Sequence, residues 1–285
     1  MEAGRQGDWD YYLWGGFAFS VIKKQDTYIL YFQGSSDYRS DHDETVLWRA
    51  IGAATSKNGI HFTKFRNNPV LTWFPNQYGE EGAVSSGITT NDDGELILFY
   101  GANTQESPVT VNADVRVASS RDGFAFTDRG IVLDHRDQSI WGSGDELFVV
   151  DAIYHQGKWI MYYIPNGTAE AGNLGVAYGN QYEALTHSSR VTSNGKSINV
   201  WGTAGHVKLD EETYAIVLNN VREKWTEVRL VSPGSPQILS EPVAIYQFDD
   251  VQQAVLLLDQ EKQTWFLYYR TFDNSYGVKL AAVKK

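Results

Sequence analysis

The chain has 285 residues and a mass of 32.1 kDa, a length that favours one large domain or two small ones. Its 42% hydrophobic and 21% charged residues exclude a disordered or fibrous protein. With 24 basic against 35 acidic residues the formal net charge is −11, and such a chain repels nucleic acid and anionic membranes. The absence of cysteine excludes disulfides, thiol catalysis and cysteine-ligated metal centres.

The start of the chain gives no targeting signal. Residues 1–8 contain no apolar core of the kind found in signal peptides, and no later apolar run reaches the roughly 18 residues of a membrane helix. We therefore expect a soluble protein that is cytoplasmic, or secreted if a leader has been removed. Neither a nucleic acid nor a membrane is expected as a partner.

An apolar segment rich in aromatic residues recurs five times along the chain. Its copies are residues 27–32, 95–100 and 158–163, with weaker ones at 213–218 and 264–269. Another apolar segment precedes each copy, at residues 19–22, 86–89, 150–153, 205–208 and 254–257. A polar turn separates the two segments of a unit, which is typical of a β-hairpin.

Further segments follow the hairpins, at residues 51–56 and 61–64 in the first unit and at 115–120 and 125–128 in the second. No stretch shows the apolar period of an amphipathic helix. A β-sandwich would lack the long repeat. Five units of three or four antiparallel strands predict an all-β fold, a five-bladed β-propeller that occupies residues 1–285 as a single domain, with no helix longer than about two turns.

The repeats resemble the five-bladed propeller glycosidases, the clan that holds arabinanases, β-xylosidases, invertases and levansucrases. Residues 51–71, which read IGAATSKNGIHFTKFRNNPVL, and a weaker echo at 115–133 are similar to the outer half of the first blade in that clan. Residues 83–101 resemble its second blade, which often carries a Ser-Gly pair like Ser86-Gly87. The resemblance implies a site on the propeller axis for a small sugar or glycoside.

The resemblance also implies three carboxylates where the inner strands begin: a base or nucleophile, a proton donor, and an acid that tunes the donor. Asp151 stands at the place of the third-blade acid. Ala18 replaces the first-blade acid, and Thr203 stands where the fourth-blade donor is expected. His206 is retained three residues later, and the resemblance gives such a histidine the role of acid in one branch and of metal holder through waters in another.

Other acids beside the inner strands are candidates to replace the two missing carboxylates. From the acidic pairs that precede the first, second and fifth inner strands we select Asp10, Glu81 and Asp249. They join Asp151 and His206 as predicted catalytic residues, because a carboxyl or imidazole group near neutral pH can exchange protons with substrate. The alternative for each loop acid is a solvated surface position.

Aromatic residues make up 14% of the chain, and a ring can stack on the C–H face of a sugar or pack between blades. A Trp-Gly pair occurs three times at comparable places, each shortly before an inner-strand region. The predicted substrate-binding residues are Trp14, Trp141, Trp201, Phe19, Asp145 and Glu146.

Two functions remain open. The first is a glycoside hydrolase-like or transglycosidase-like propeller that acts on a small sugar or glycoside in the axial funnel. The second is a non-hydrolytic glycan-binding protein, or an enzyme of different chemistry in the same funnel. The missing acids favour the second function, and the acids beside the inner strands favour the first. No cofactor is expected, with a calcium ion on the propeller axis as the one addition left open.

Overall fold

The computed structural model describes residues 4–5, 8–10, 12–35, 49–72, 82–107, 110–202, 204–247, 251–271 and 276–282. Every regular element in these residues is a β-strand, which confirms the predicted all-β class. A search of the same residues for a helix long and apolar enough to cross a membrane finds none.

The strands form five antiparallel blades. Blade 1 contains β1 (Tyr12–Lys24), β2 (Thr27–Ser35), β3 (Arg49–Ser56) and β4 (Thr63–Lys64). Blade 2 contains β5 (Gly82–Thr90), β6 (Leu96–Ser107), β7 (Thr110–Ser120) and β8 (Thr127–Leu133). Blade 3 contains β9 (Glu146–His155), β10 (Lys158–Asn166), β11 (Gly175–Gly179) and β12 (His187–Arg190), and a hairpin of β13 (Thr192–Ser193) and β14 (Lys196–Ser197) follows it. Blade 4 contains β15 (Ala204–Lys208), β16 (Tyr214–Asn220), β17 (Trp225–Val231) and β18 (Ala244–Gln247). Blade 5 contains β19 (Val251–Asp259), β20 (Thr264–Thr271) and β21 (Tyr276–Ala282).

The first strand of each blade lies at the centre of the molecule. These inner strands contact one another in the cyclic order β1, β5, β9, β15, β19 and back to β1. A closed ring of five strands around an axis is the arrangement of a propeller, so the predicted five-bladed architecture is confirmed. The predicted hairpins correspond to the first two strands of each blade.

The second strands β2, β10 and β16 are buried on both faces because a neighbouring blade covers each of them, whereas burial alternates along β20 of blade 5. In β2 every residue after Thr27 is buried, and all of β16 is buried. Such strands have continuous apolar sequences rather than an alternating pattern. The outer strand β8 is mostly exposed, and its sequence is correspondingly polar. Burial thus decreases from the second strand to the outer strand of a blade, and this is why the apolar repeat in the sequence is strongest in the second strands.

Clusters of buried apolar side chains fill the junctions between blades. Representative pairs are Tyr28 and Phe266 between blades 5 and 1, Tyr31 and Ile88 between 1 and 2, Phe99 and Met161 between 2 and 3, and Tyr162 and Ile216 between 3 and 4. Burial of this kind contributes roughly 25 cal/mol per Å² of apolar surface. Packing between blades is therefore the main stabilising contribution to the ring.

The junction of blades 4 and 5 contains a buried amide. Asn219 donates from Nδ2 to the carbonyl of Ala254 at 2.8 Å, and its Oδ1 accepts the Ala254 N–H at 2.9 Å. Thr226 donates to the same Oδ1 at 2.8 Å. The side chain of Asn219 thus acts as an additional strand partner for the inner strand β19, and its own polar groups are satisfied.

A buried carboxylate joins the last blade to the first. Lys23 on β1 donates to Asp259 at 3.0 Å, and the hydroxyl of Tyr28 donates to the other oxygen of Asp259. Burial by itself would raise the pKa of Asp259, but the hydrogen bonds from Tyr28 and Lys23 outweigh it and lower the pKa to about 2. The carboxylate is therefore ionised throughout the physiological pH range and holds the ring closed.

Replacing Asp259 by Asn is expected to lower the free energy of unfolding at pH 7 by roughly 2 kcal/mol, since each pKa unit corresponds to about 1.4 kcal/mol. The folded-state pKa lies below the unfolded one, so this stabilisation is complete above about pH 4 and is lost as the pH falls towards 2. Urea unfolding of both proteins between pH 2 and 7 measures the difference. The matched control is Glu261→Gln, because Glu261 also binds Lys23 but is 78% exposed, and a change below about 0.5 kcal/mol is expected. Equal losses in the two variants would contradict this account of closure.

Candidate functional site

A cavity of about 330 Å³ lies on the propeller axis, and every inner strand contributes to its wall. The wall consists of residues 20–23, 88–90, 151 and 154, 205–208 and 255–258, together with Tyr214 and Gln260. Lys23, Thr90 and Lys208 stand at or next to the last residue of their strands. The cavity therefore occupies the side of the axis where the inner strands end, whereas the resemblance implies carboxylates where these strands begin. Asp151 and His206 lie at the inner limit of the cavity.

Asp151 and His206 form a hydrogen-bonded pair across the junction of blades 3 and 4. Nδ1 of His206 lies 3.1 and 3.0 Å from the two carboxylate oxygens of Asp151. Because an ionised carboxylate can only accept, Nδ1 carries the proton of this hydrogen bond. The side chain of Asp151 is 5% exposed and that of His206 is 19% exposed. Within the described part of the chain, Nε2 of His206 has no hydrogen-bond partner.

A β-bulge directs Asp151 towards blade 4. In the pairing of β9 with β10, Asp151 lies opposite Tyr162 and Val149 lies opposite Tyr163, so Val150 is an additional residue in β9. Val150 and Asp151 consequently both turn towards blade 4, where Val150 joins the apolar cluster and Asp151 meets His206. Bulges commonly redirect a side chain in this way next to functional sites.

Gly87 on β5 lets the inner strands approach closely enough to form this site. A Cβ at position 87 would lie 2.6 Å from the carbonyl carbon of Asp151 and 2.7 Å from the nitrogen of Ala152. Both atoms belong to the backbone of β9 and cannot move aside as a flexible side chain would. The absence of a side chain at Gly87 therefore allows β5 and β9 to approach at the level of Asp151.

Three predicted aromatic ligand contacts pack inside the protein, outside the wall of the axial cavity. Phe19 is 1% exposed and belongs to the cluster between blades 5 and 1. Trp141 packs against Tyr163, with ring centroids 6.4 Å apart. The guanidinium of Arg222 stacks over the ring of Trp201 at 3.3 Å. Packing between blades, the alternative to sugar stacking, accounts for Phe19, whereas partly buried Trp141 packs within blade 3 and Trp201 lies under Arg222 of blade 4.

Three of the predicted acids also lie away from the cavity wall. Asp10 forms an ion pair with Lys64 on the outer strand of blade 1. Asp145 is exposed before β9, and Glu146 accepts a hydrogen bond from Asn166. Their described partners are structural ones, so the structure does not bring these carboxylates to Asp151.

The remaining predicted residues lie outside the described part of the structure. They are Glu81, Asp249 and Thr203, together with the side chain of Trp14, whose backbone belongs to β1. Glu81 directly precedes β5, and Asp249 stands two residues before β19. Their roles stay predictions.

The described wall offers few of the ligands that a calcium ion takes. Ca²⁺ binds six to eight oxygen ligands, usually with several carboxylates. Asp151 is the one carboxylate in the described wall, and it is already paired with His206. Among the described residues a group of Asp114, Asp134 and His135 could meet around an ion. It lies off the cavity, and the Nδ1 atom of His135 is already bonded to Asp114 at 2.7 Å.

The sequence patterns did not identify Tyr214 and Tyr154 as wall residues. Tyr214 belongs to a repeat copy that was read only as a strand. Its place in the wall follows from strand register, because His206 pairs with Ile216 and Tyr214 is the diagonal neighbour two residues away. Alignment of residues 205–208 with residues 214–217 as an antiparallel hairpin would have placed Tyr214 next to His206.

Comparison with protein families and solved structures gives consistent results. A model of the family described as "Glycosyl hydrolases family 32 N-terminal domain" matches residues 19–274. A search of curated proteins finds no significant sequence match.

Several solved structures share the fold. The β-1,2-mannobiose phosphorylase from Listeria innocua is 15% identical, with a TM-score of 0.66 over 95% of this chain and 90% of that one. A glycosyl hydrolase from Bacteroides ovatus is 15% identical, with a TM-score of 0.59 over 94% and 84%. A GH43_1 enzyme from Xanthomonas citri is 12% identical, with a TM-score of 0.59 over 93% and 86%. At these identities the likeness shows the shared propeller alone.

Replacing Gly87 by Ala is expected to lower the free energy of unfolding by about 1–3 kcal/mol, because the new methyl group overlaps the backbone of β9. The matched change is Gly205→Ala on β15, where the nearest atom is the Cβ of Val255 at 3.2 Å and a small shift relieves the contact. Urea unfolding of the two variants compares the costs. A Gly87 variant as stable as the Gly205 variant would show that β5 and β9 can separate freely.

Proposed function

The chain belongs to the glycosyl hydrolase family 32 N-terminal domain family, and from its axial site we propose that it binds a small glycoside there and acts on the glycosidic bond. The resemblance to propeller glycosidases is confirmed at the level of the family. A sugar is accordingly the class of partner. The volume of the cavity, about 330 Å³, falls within the ~300–1,000 Å³ range of small-molecule sites.

The Asp151–His206 pair carries this proposal. A carboxylate that accepts the Nδ1 proton of an imidazole fixes the tautomer and the orientation of the ring. Nε2 is then the nitrogen that meets the ligand, and it has no partner among the described residues. This arrangement supplies a proton donor and acceptor at the inner limit of the cavity.

In the proposed reaction His206 first donates a proton and later accepts one. Protonated His206 donates its Nε2 proton to the glycosidic oxygen while the bond from that oxygen to the anomeric carbon breaks, and the oxygen keeps the electron pair. Water, or the hydroxyl of an acceptor sugar, then forms the new bond to the anomeric carbon and gives its proton to the neutral imidazole. The first acceptor gives hydrolysis and the second gives glycosyl transfer. Asp151 holds the imidazole throughout, and the described wall supplies no second carboxylate.

One observation favours the second candidate function, a glycan-binding protein without hydrolysis. Glycosidases that use two carboxylates hold them about 5–9.5 Å apart across the bond. In the described wall Asp151 has no such partner. The predicted acids Glu81 and Asp249 precede β5 and β19, and the cavity lies towards the other ends of these strands. Without a second carboxylate the same pocket binds a sugar without cleaving it.

An aryl-glycoside screen with arabinofuranosides, xylosides, fructosides, galactosides and fucosides tests the first function. With a cleaved substrate in hand, Asp151→Asn is expected to lower kcat/KM by at least about 100-fold, the effect of losing acid–base catalysis. The melting temperature should change by only a few degrees, because the amide oxygen of Asn still accepts the His206 proton.

The matched control is Asp114→Asn, which alters an Asp–His pair of the same kind away from the cavity and should leave activity unchanged. Full activity of the Asp151 variant, together with a stability loss of roughly 1–3 kcal/mol, would make the pair a structural link only. Sugar binding, seen as tryptophan quenching, without cleavage of any glycoside would select the glycan-binding function.

A further inference from the structure

Tyr214 contacts the imidazole of His206 on the side towards Lys208, the last residue of β15. The two ring centroids lie 5.9 Å apart at an angle of 54°. The contact follows from the register of β15 and β16, which places Tyr214 diagonally across from His206. Tyr214 is 4% exposed and also lines the axial cavity.

Residues of blade 3 hold Tyr214 at its hydroxyl group. The Tyr214 hydroxyl lies 3.3 Å from Nδ1 of His155 and 3.4 Å from the carbonyl oxygen of Tyr154. The rings of Tyr214 and His155 also meet edge to face, with centroids 5.8 Å apart. Burial, assisted by the negative charge of Glu211, raises the pKa of Tyr214, so the hydroxyl keeps its proton and can donate to the carbonyl.

The imidazole of His206 is therefore held at two points. Asp151 binds its Nδ1 atom, and the Tyr214 ring occupies the space into which the imidazole would turn if it rotated towards the end of the strand. Without that ring the imidazole could leave Asp151 or flip so that the other nitrogen faces the carboxylate. After either movement Nε2 would no longer face the ligand position in the cavity.

We propose that Tyr214 is a positioning residue whose ring, rather than its hydroxyl, keeps Nδ1 of His206 on Asp151 and Nε2 in the cavity. The effect of Tyr214 on turnover rests on the proposed function. The effect of Tyr214 on the orientation of the imidazole does not, so the proposed function and the positioning role can fail separately.

The experiment compares Tyr214→Phe, which keeps the ring, with Tyr214→Leu, which removes it. In protein labelled with ¹⁵N-histidine, the side-chain signals of His206 are assigned by their loss in His206→Gln, and they report which nitrogen carries the proton. Wild type and Tyr214→Phe should show the Nδ1–H form, and Tyr214→Leu should show a mixture of the two forms. With a cleaved substrate, Tyr214→Leu should lower kcat about 10- to 100-fold with KM within about 3-fold, and Tyr214→Phe should stay within about 3-fold of wild type.

Val231→Ala is the matched control, because Val231 pairs with Tyr214 in β17 and belongs to the same apolar cluster but does not line the cavity. It loosens the same core and should leave the His206 signals unchanged. An Nδ1–H form retained in Tyr214→Leu would overturn the proposal, as would a Tyr214→Phe variant with the same mixed signals as Tyr214→Leu. If the tautomer result holds and no glycoside is cleaved, the positioning role stands and the proposed reaction fails.

Discussion

Closure of the ring of inner strands is the constraint on which the rest of the structure depends. Each inner strand must approach two others, and polar links at the inner strands supplement the apolar packing. Asp259 joins blade 5 to Lys23 and Tyr28 of blade 1, and the amide of Asn219 joins blade 4 to blade 5. The Asp151–His206 pair is the corresponding link between blades 3 and 4. These links lie near the axis, where a ligand site is formed from the same strands.

The difference between two of these links shows why one is a candidate for chemistry. Asp259 is fully enclosed and takes hydrogen bonds from Lys23 and Tyr28, which lower its pKa to about 2 and leave it no capacity for proton exchange near neutral pH. His206 is different because its side chain is 19% exposed and its Nε2 atom has no hydrogen-bond partner among the described residues. A satisfied ion pair stabilises the fold, whereas an incompletely satisfied pair beside a cavity can bind or react.

The sequence predicted the fold better than the site, for physical reasons. Burial of the second strands on both faces produced repeated apolar runs, and these were sufficient to predict five blades. Asp151 and His206 were identified because an acid in an apolar strand is costly and the resemblance marked both positions. The three Trp-Gly pairs repeat as strongly, yet the rings of Trp141 and Trp201 contact Tyr163 and Arg222 and do not line the axial cavity. A one-dimensional repeat cannot separate rings between blades from rings that line a ligand site, and the diagonal contact of Tyr214 requires the register.

The position of the pair limits where a second catalytic carboxylate can come from. In a ring of five blades, the junction of blades 3 and 4 faces blade 1 across the axis, and blade 1 contributes Ser20 to the opposite wall. The acid that precedes its inner strand, Asp10, is engaged by Lys64. A two-sided attack on a sugar ring therefore requires an acid from blade 2 or blade 5. The predicted residues Glu81 and Asp249 precede β5 and β19, whereas residues 88–90 and 255–258, at the other ends of these strands, line the cavity. If neither serves, His206 and Asp151 act on one face of the sugar alone, and the pocket is then a binding site.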